Sequence, residues 1–258
     1  MPDLSVVIIT YNEEKNIRYC IESVNKVANE IIVLDSYSND NTVSIAKACG
    51  AIVSQCYFSG YISQKNKAIQ LASNDYVLLI DADEMLSDEL SAAISEVKKD
   101  FTYSAYTMKR CNVFGGKFIR HGLWYPDKKL RLFNKQLGKC GGLNPHDKII
   151  MEEGTVIKLL SGDLLHYSFS NADEYKKRNE EISTIAAQSL YDAGYRKYRL
   201  KIVFSPLWAF LNGYILRMGF LDGREGFTIA VCSAQQSFLK YQKLRQLQKQ
   251  QTAAWYAN

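Results

Sequence analysis

The sequence predicts an α/β protein with a mostly parallel central sheet, helices on both faces and a helical C-terminal extension. Three observations carry that prediction. Short continuous apolar runs alternate with helix-period segments through the first hundred residues; the runs end in polar and acidic residues; and after residue 170 the pattern becomes aromatic and basic at helical spacing.

Leu4 to Thr10 is an uninterrupted β-branched and apolar run, as expected of a strand covered on both faces. Asn12 is placed to cap a helix whose first turn carries Glu13 and Glu14, with Ile17, Cys20, Ile21 and Val24 at helical spacing. The unit then repeats. Ile31 to Leu34 reads as a second strand, Val43 to Cys49 as a helix stopped by Gly50, and Ala51 to Ser54 as a third strand. Gln64 to Ala72 reads as a third helix and Tyr76 to Ile80 as a fourth strand. Strand, helix and strand in this order imply right-handed crossovers and parallel pairing. Ser87 can cap a helix running to about Lys99. The rhythm then changes: Tyr103 to Lys109 alternates like an antiparallel strand, and Leu130 to Phe133 and Val156 to Leu159 are short strands among glycine-rich loops. Ser170 is placed to cap a long helix ending near Gly194, followed by helices with an aromatic face of Phe204, Trp208, Phe210, Tyr214 and Phe220. No internal repeat is visible.

With 258 residues, 47% hydrophobic and only four prolines, the chain can bury a core and is neither disordered nor a low-complexity polymer. Its six cysteines contain no CxxC pair, which argues against a zinc ribbon or disulfide scaffold and suits a reducing compartment. The net charge of +5 is one-ended: residues 1–175 hold 19 Lys and Arg against 22 Asp and Glu, and residues 176–258 hold 13 against 5. A one-ended basic excess suits a polyanionic surface, either nucleic acid or anionic lipid. No export signal opens the sequence, so a cytoplasmic protein is expected. The longest uncharged stretch, Ile202 to Leu216, would be roughly 22 Å as a helix, short of the ~30 Å hydrocarbon core, so no membrane span is expected.

In a parallel sheet the residues just past the strand ends share one edge, where open α/β sheets bind ligands. Here that edge reads Thr10-Tyr11-Asn12-Glu13, Asp35-Ser36 on to Asp40, and Asp81-Ala82-Asp83-Glu84. Converging carboxylates repel unless a cation joins them, and oxygen donors favour Mg²⁺ or Mn²⁺ completed by phosphate oxygens and water. No GxGxxG follows the first strand and no GxxxxGK[ST] occurs, which removes the glycine loops of dinucleotide dehydrogenases and P-loop hydrolases. Phosphates would then be held by a metal with help from Lys65 and Arg131.

The segments Val7 to Glu14, Ile32 to Ser36 and Asp81 to Glu84 resemble family 2 inverting glycosyltransferases with the GT-A nucleotide-diphospho-sugar transferase fold. Further segments are similar to the bacterial lipopolysaccharide core glucosyltransferases that extend the inner-core heptose. These are Gln64-Lys65-Asn66, Arg120 to Asp127, Leu130 to Phe133, Gly162 to Tyr167 and Tyr214 to Gly223. The resemblance covers nearly the whole chain. It implies a catalytic domain over 1–169, with a nucleotide-binding half (1–100) and an acceptor-side half (101–169), and a helical extension over 170–258.

The resemblance further implies that Thr10, Tyr11, Glu13 and Asp35 cradle the nucleoside of a UDP-sugar, that Lys65 holds its phosphates, and that Asp81 and Asp83 take the ribose and the metal. A carboxylate at Asp35 can accept the uracil N–H, and a metal at Asp83 neutralises the leaving diphosphate. Inversion needs a base to take the acceptor hydroxyl's proton. Where the family carries a His-Glu pair this chain has Pro145-His146-Asp147, which makes Asp147 the expected base, with Glu84, Glu152 or Glu153 as substitutes; the family's Gly-Gly-Trp reads Gly122-Leu123-Trp124, leaving acceptor preference open. His166 is a candidate third metal ligand, against a plain hydrogen-bonded role. The implied reaction is metal-dependent transfer of a hexose, glucose from UDP-glucose, to a lipid-linked saccharide of lipopolysaccharide core. The implied place is the cytoplasmic face of the inner membrane, with the basic aromatic segment at the lipid surface and no nucleic acid partner.

Blander readings stand beside these. The acidic triplet can cap the following helix, Asp35 can satisfy a loop backbone as an Asx-turn, Lys65 can be merely solvated, and Trp124 and Tyr125 can form a packed turn rather than a face for sugar stacking. The same fold could serve a polyprenyl phosphate, peptide or other glycan acceptor. Two other classes compete: a phosphatase with an aspartyl nucleophile, and a sugar-nucleotide-binding membrane protein without catalysis.

Overall fold

Leu4 to Thr10 is completely enclosed, and its alternation sorts it between two cores. In the computed structural model, which describes residues 3–143, 146–169 and 171–257, this run is strand β1 (Leu4–Thr10). Side chains are described for 3–142, 147–169 and 171–250. Leu4, Val6 and Ile8 pack on one face of the sheet with α1 (Ile17–Val24), α2 (Thr42–Ala48) and α4 (Asp88–Val97); Val7 and Ile9 pack on the other with α3 (Tyr61–Leu71). Burying each such side chain contributes ~1.5–3 kcal/mol, so a one-residue slip of β1 is strongly disfavoured.

The chain forms two units, Met1–Cys111 with Asp127–Tyr167, and Asn112–Pro126 with Ser168–Asn258. In the first, β1 lies between β2 (Glu30–Asp35) and β4 (Tyr76–Asp81), parallel to both, and β3 (Ile52–Gln55) runs parallel to β2. β8 (Asp127–Asn134) pairs antiparallel with β4, and β6 (Ala105–Phe114) antiparallel with β8. β11 (Ile157–Phe169) comes next, and β5 (Glu84–Leu86) closes that edge antiparallel to it. A separate hairpin joins β9 (Gly138–Leu143) to β10 (His146–Met151).

The second unit holds the short β7 (Lys117–Phe118), which pairs with the end of β6, and the helices α5 (Ala172–Asp192), α6 (Lys201–Phe210) and α7 (Gly223–Ala257). α7 packs against both α5 and α6. A π-turn (Leu211–Leu216) and a 3₁₀ turn (Gly219–Asp222) link α6 to α7. Here the backbones meet at glycines: a Cβ on Gly226 would lie 1.9 Å from the Gly219 carbonyl oxygen, a contact no other residue type could accept.

Several local expectations are corrected. α1 starts at Ile17, with Asn16 rather than Asn12 at its N-cap. Asn12 has φ +56°, donates its N–H to Ser38 Oγ and accepts from the Asn39 N–H, so it ties the β1 and β2 loops together instead of starting a helix. Ser170 lies outside the described residues; Asn171 caps α5, accepting from the N–H groups of Asp173 and Glu174. Ser87 does cap α4, its Oγ accepting from the Leu90 N–H.

Candidate functional site

Parallel registration brings the polar strand ends together, since Thr10 is opposite Asp35 across β1 and β2 and Ile9 is opposite Asp81 across β1 and β4. α3 presents Gln64 and Lys65 on its buried face beside Ala68 and Ile69. Lys65 is 4% exposed; its Nζ lies 2.8 Å from Asp147 Oδ2 and 3.4 Å from Asp81 Oδ1. The solvated reading of Lys65 is thereby excluded. Burial pulls its ammonium down, but Asp81 and Asp147 outweigh burial and hold it above its ordinary value.

Arg131, on β8, donates through one terminal nitrogen to Asp81 Oδ2 at 2.9 Å and to Glu84 Oε1 at 2.7 Å. Burial raises the Asp81 carboxyl, yet Arg131 and Lys65 more than reverse this and keep it well below the usual carboxylate range. The Arg131 guanidinium is likewise held charged against burial, by Glu84 and Asp81. Glu84 is fully buried: its Oε1 meets Arg131 and, at 3.4 Å, Arg110, while its Oε2 accepts the Asp81 N–H at 3.0 Å. Arg110 in turn pairs with Asp127, its partner in the β6–β8 register, at 2.8 Å. Glu84 and Arg110 thus fix the orientation of Arg131. Spacing gives no sign of this cluster, because its members come from β5, β6 and β8.

Asp83 and His166 meet because β5 and β11 pair with Glu84 opposite His166; His166 Nε2 lies 3.1 Å from Asp83 Oδ2. Asp35 is buried and accepts from the Ser38 N–H and Oγ and from Gln55 Nε2, which is the loop-shaping role. Glu13 takes its N–H to Thr42 Oγ1 and accepts from Asn16; burial raises its carboxyl above the ordinary value against that hydrogen bond. Tyr11 is exposed, and Thr10 Oγ1, Asp81 Oδ1 and Arg131 Nε are buried without a hydrogen bond. Asp147, on β10, also lies near Cys140, whose thiol is pushed up to about 11 by burial and by that carboxylate. Pro145 and the His146 side chain lie outside the described residues. Glu152 and Glu153 are exposed just past β10, apart from these contacts.

The structure therefore brings Lys65, Asp81, Arg131, Glu84 and Asp147 into one connected group, with Asp83 and His166 as a second pair. Among the described residues no set of three or more Asp, Glu, His or Cys is arranged to hold a metal ion. Asp83 supplies the oxygen donor that Mn²⁺ or Mg²⁺ prefers, and the His166 nitrogen beside it suits Mn²⁺ better than Mg²⁺, with the remaining positions left to phosphate oxygens and water. Asp81, engaged by two cationic side chains, is differently placed. In the second unit Trp124 packs edge-on against Phe114 and Tyr175 and beside Phe169, the packed-turn reading of that residue.

A family model described as Glycosyl transferase family 2 matches residues 5–153. An uncharacterized glycosyltransferase of Rickettsia typhi is 32% identical over 257 residues, covering 96% of this chain and 88% of the relative. The lipopolysaccharide core biosynthesis glycosyltransferase LpsC of Rhizobium meliloti is 29% identical, covering 94% of this chain and 92% of LpsC. Among solved structures, glucosyl-3-phosphoglycerate synthase from Mycobacterium tuberculosis, in complex with Mn²⁺, UDP and glucosyl-3-phosphoglycerate, is 25% identical over 44% of each chain with a TM-score of 0.36. TarS of S. aureus is 18% identical over 71% of this chain and 39% of its own, with a TM-score of 0.47. The chain spans less than half the length of either solved structure.

Proposed function

The chain belongs to glycosyl transferase family 2 and has that family's GT-A fold, and from this premise we propose that it transfers glucose from UDP-glucose, with inversion, to a lipid-linked saccharide of lipopolysaccharide core. The place of work is the cytoplasmic face of the inner membrane. The observation that carries the reading is the Lys65 ammonium held between Asp81 and Asp147 at the edge of the parallel strands. The similarity to LpsC, a lipopolysaccharide core biosynthesis glycosyltransferase, supports the acceptor class.

Thr10, Tyr11 and Glu13 receive the nucleoside beside the loop that Asp35 shapes, and Lys65 and Arg131 offer the diphosphate two buried positive charges. Asp83 and His166 would hold Mn²⁺ or Mg²⁺, which would offset negative charge on the departing diphosphate. Lys65 has two carboxylate partners, and when its ammonium turns to the diphosphate the Asp147 carboxylate is released from its closest cation and can face the acceptor hydroxyl. Asp147 then takes the proton of the acceptor hydroxyl as that oxygen bonds to the sugar's anomeric carbon; the bond from that carbon to the diphosphate breaks, and UDP leaves with the electron pair. Glu84, enclosed by two guanidinium groups, serves as the anchor of Arg131 rather than as base.

The test is Asp147→Asn, which keeps the side-chain shape and a partner for Lys65. Turnover is expected to fall by ~10²–10⁴-fold, the usual contribution of a general base, while calorimetric UDP-glucose binding persists. Unchanged turnover would remove Asp147 from the role.

A further inference from the structure

Helix α6 is built inside out for a water-soluble protein. None of its residues is buried, and its outward face carries Val203, Phe204, Leu207 and Trp208, continued through the π-turn by Ile215 and Leu216; these six are each between 52% and 64% exposed. Its contact with α7 includes a polar one, Ser205 Oγ to Ser237 Oγ at 2.8 Å. The outward residues recur at three- and four-residue intervals, so they form one stripe rather than scattered exposure.

The charges around the stripe have a single sign. From Ala193 to Leu221 every ionised side chain is basic: Arg196, Lys197, Arg199 and Lys201 precede the stripe and Arg217 follows it, with no Asp or Glu among them. An apolar face bordered by basic residues and carrying a tryptophan is complementary to an anionic lipid surface, where rings and aliphatic chains enter the acyl boundary and cations meet headgroup phosphates. A second copy of this chain fits less well, because a self-complementary interface would set the same cationic border against itself. Crossing the bilayer is not open to this segment: among the described residues no helix is long and apolar enough to span a membrane.

We infer that the α6 stripe and its basic border form a docking surface for anionic phospholipid, with α6 lying in the plane of the interface. The inference deepens the reading of a lipid-linked acceptor and rests on it for its purpose, but lipid affinity is measured without any saccharide present.

The full chain is sedimented with sucrose-loaded vesicles of phosphatidylcholine alone or mixed equally with phosphatidylglycerol. Binding is expected on the mixed vesicles, weakening as salt is raised, and to be slight on phosphatidylcholine. The variant carrying Phe204→Ser, Leu207→Ser and Trp208→Ser should lose ~100-fold or more in partition, since three large apolar side chains no longer leave water. A second variant, with Arg196, Lys197, Arg199 and Lys201 each changed to Gln, should lose about fivefold per charge on mixed vesicles and little on phosphatidylcholine. Both changes lie on exposed positions, and transfer to a lipid-free saccharide acceptor should be unaltered. The inference is overturned if wild type fails to sediment with mixed vesicles, or if the serine variant binds them as well as wild type. It is equally overturned if the chain is a dimer without vesicles and the serine variant is a monomer, since a second copy then covers the stripe. Vesicle binding by a chain that transfers sugar to no acceptor would uphold the docking surface and sink the transferase reading alone.

Discussion

Replacing Lys65 by Met removes a buried ammonium while keeping most of its aliphatic length, and leaves Asp81 and Asp147 without the cation between them. At an effective dielectric of ~20, the attraction across 2.8 Å to Asp147 is about 6 kcal/mol, and across 3.4 Å to Asp81 about 5 kcal/mol. Desolvation of the three groups offsets most of this, so the measurable quantity is the cost of leaving buried charge uncompensated, roughly 3–5 kcal/mol. Asp81 retains a direct ion pair with Arg131 at 2.9 Å, whereas Asp147 keeps only the longer-range attraction of Arg131, so the larger loss falls on Asp147. The assay is thermal and urea unfolding followed by circular dichroism, for Lys65→Met, Asp147→Asn and the double variant. Lys65→Met alone should lower the melting temperature by on the order of 10 °C. In the double variant the orphaned carboxylate is gone, so the two losses should fall short of additivity by ~1–3 kcal/mol. High salt should change the coupling little, because both side chains are largely shielded from solvent. Losses that add within ~0.5 kcal/mol would show that the pair is not formed in solution, and the coupling between donor binding and the base would go with it.

Asp81 sits below its ordinary 3.8 in the folded chain, so its contribution is complete above about pH 5 and lost as pH falls through the lower folded value. Asp81→Asn should therefore flatten the decline in urea midpoint between about pH 5 and about pH 2; an unchanged acid limb would contradict the Arg131 and Lys65 contacts. Asp83→Ala and His166→Ala should each abolish the gain in UDP affinity that Mn²⁺ gives the wild type in calorimetry, without lowering affinity in chelator; a retained gain would place the cation elsewhere. Gly162 has φ +84°, and a Cβ there would fall 2.3 Å from the Leu90 nitrogen at the start of α4. Gly162→Ala should cost ~2–5 kcal/mol, read by the same unfolding assay, from backbone strain together with overpacking; a loss under ~1 kcal/mol would mean that β11 and α4 do not approach so closely.

The parallel strands were legible because both of their faces are covered, so burial writes a continuous apolar run that no other element of that length produces. Leu4 to Thr10 is read to the residue, and β2 to β4 to within two residues of each end. The antiparallel portion was not legible in the same way. Only the first part of β11 shows an apolar run; Ser161, Gly162 and Asp163 interrupt it, and the strand continues to Phe169 because β5 pairs there from some eighty positions away. The hairpin of β9 and β10 includes Gly138, Gly141 and Gly142, which read locally as loop. Asn12 followed by two glutamates is a sound helix start by composition, yet the competing partners, Ser38 and Asn39, lie on the next loop and no local pattern announces them.

The site divides along the same physical line. Residues at strand tips, Thr10, Asp35, Asp81 and Asp83, are recoverable from sequence because parallel topology alone delivers them to one edge. What they do there depends on partners that topology does not name. Lys65 reaches Asp147 across 82 positions and Arg131 reaches Glu84 across 47, so whether the lysine is solvated or buried, and whether Glu84 is base or anchor, is decided by contacts with no local signature. Glu84 follows Asp83 directly, yet one points into a cage of guanidinium groups and the other meets a histidine. Asp83 sits in the turn between β4 and β5 whereas Glu84 is the first residue of β5, so the turn separates the two carboxylates that composition lumps together. Glu84 is held by two arginines and orients Arg131, whereas the close cation of Asp147 is Lys65, which a bound diphosphate can draw away; on the proposed reading that difference favours Asp147 over Glu84 as the base.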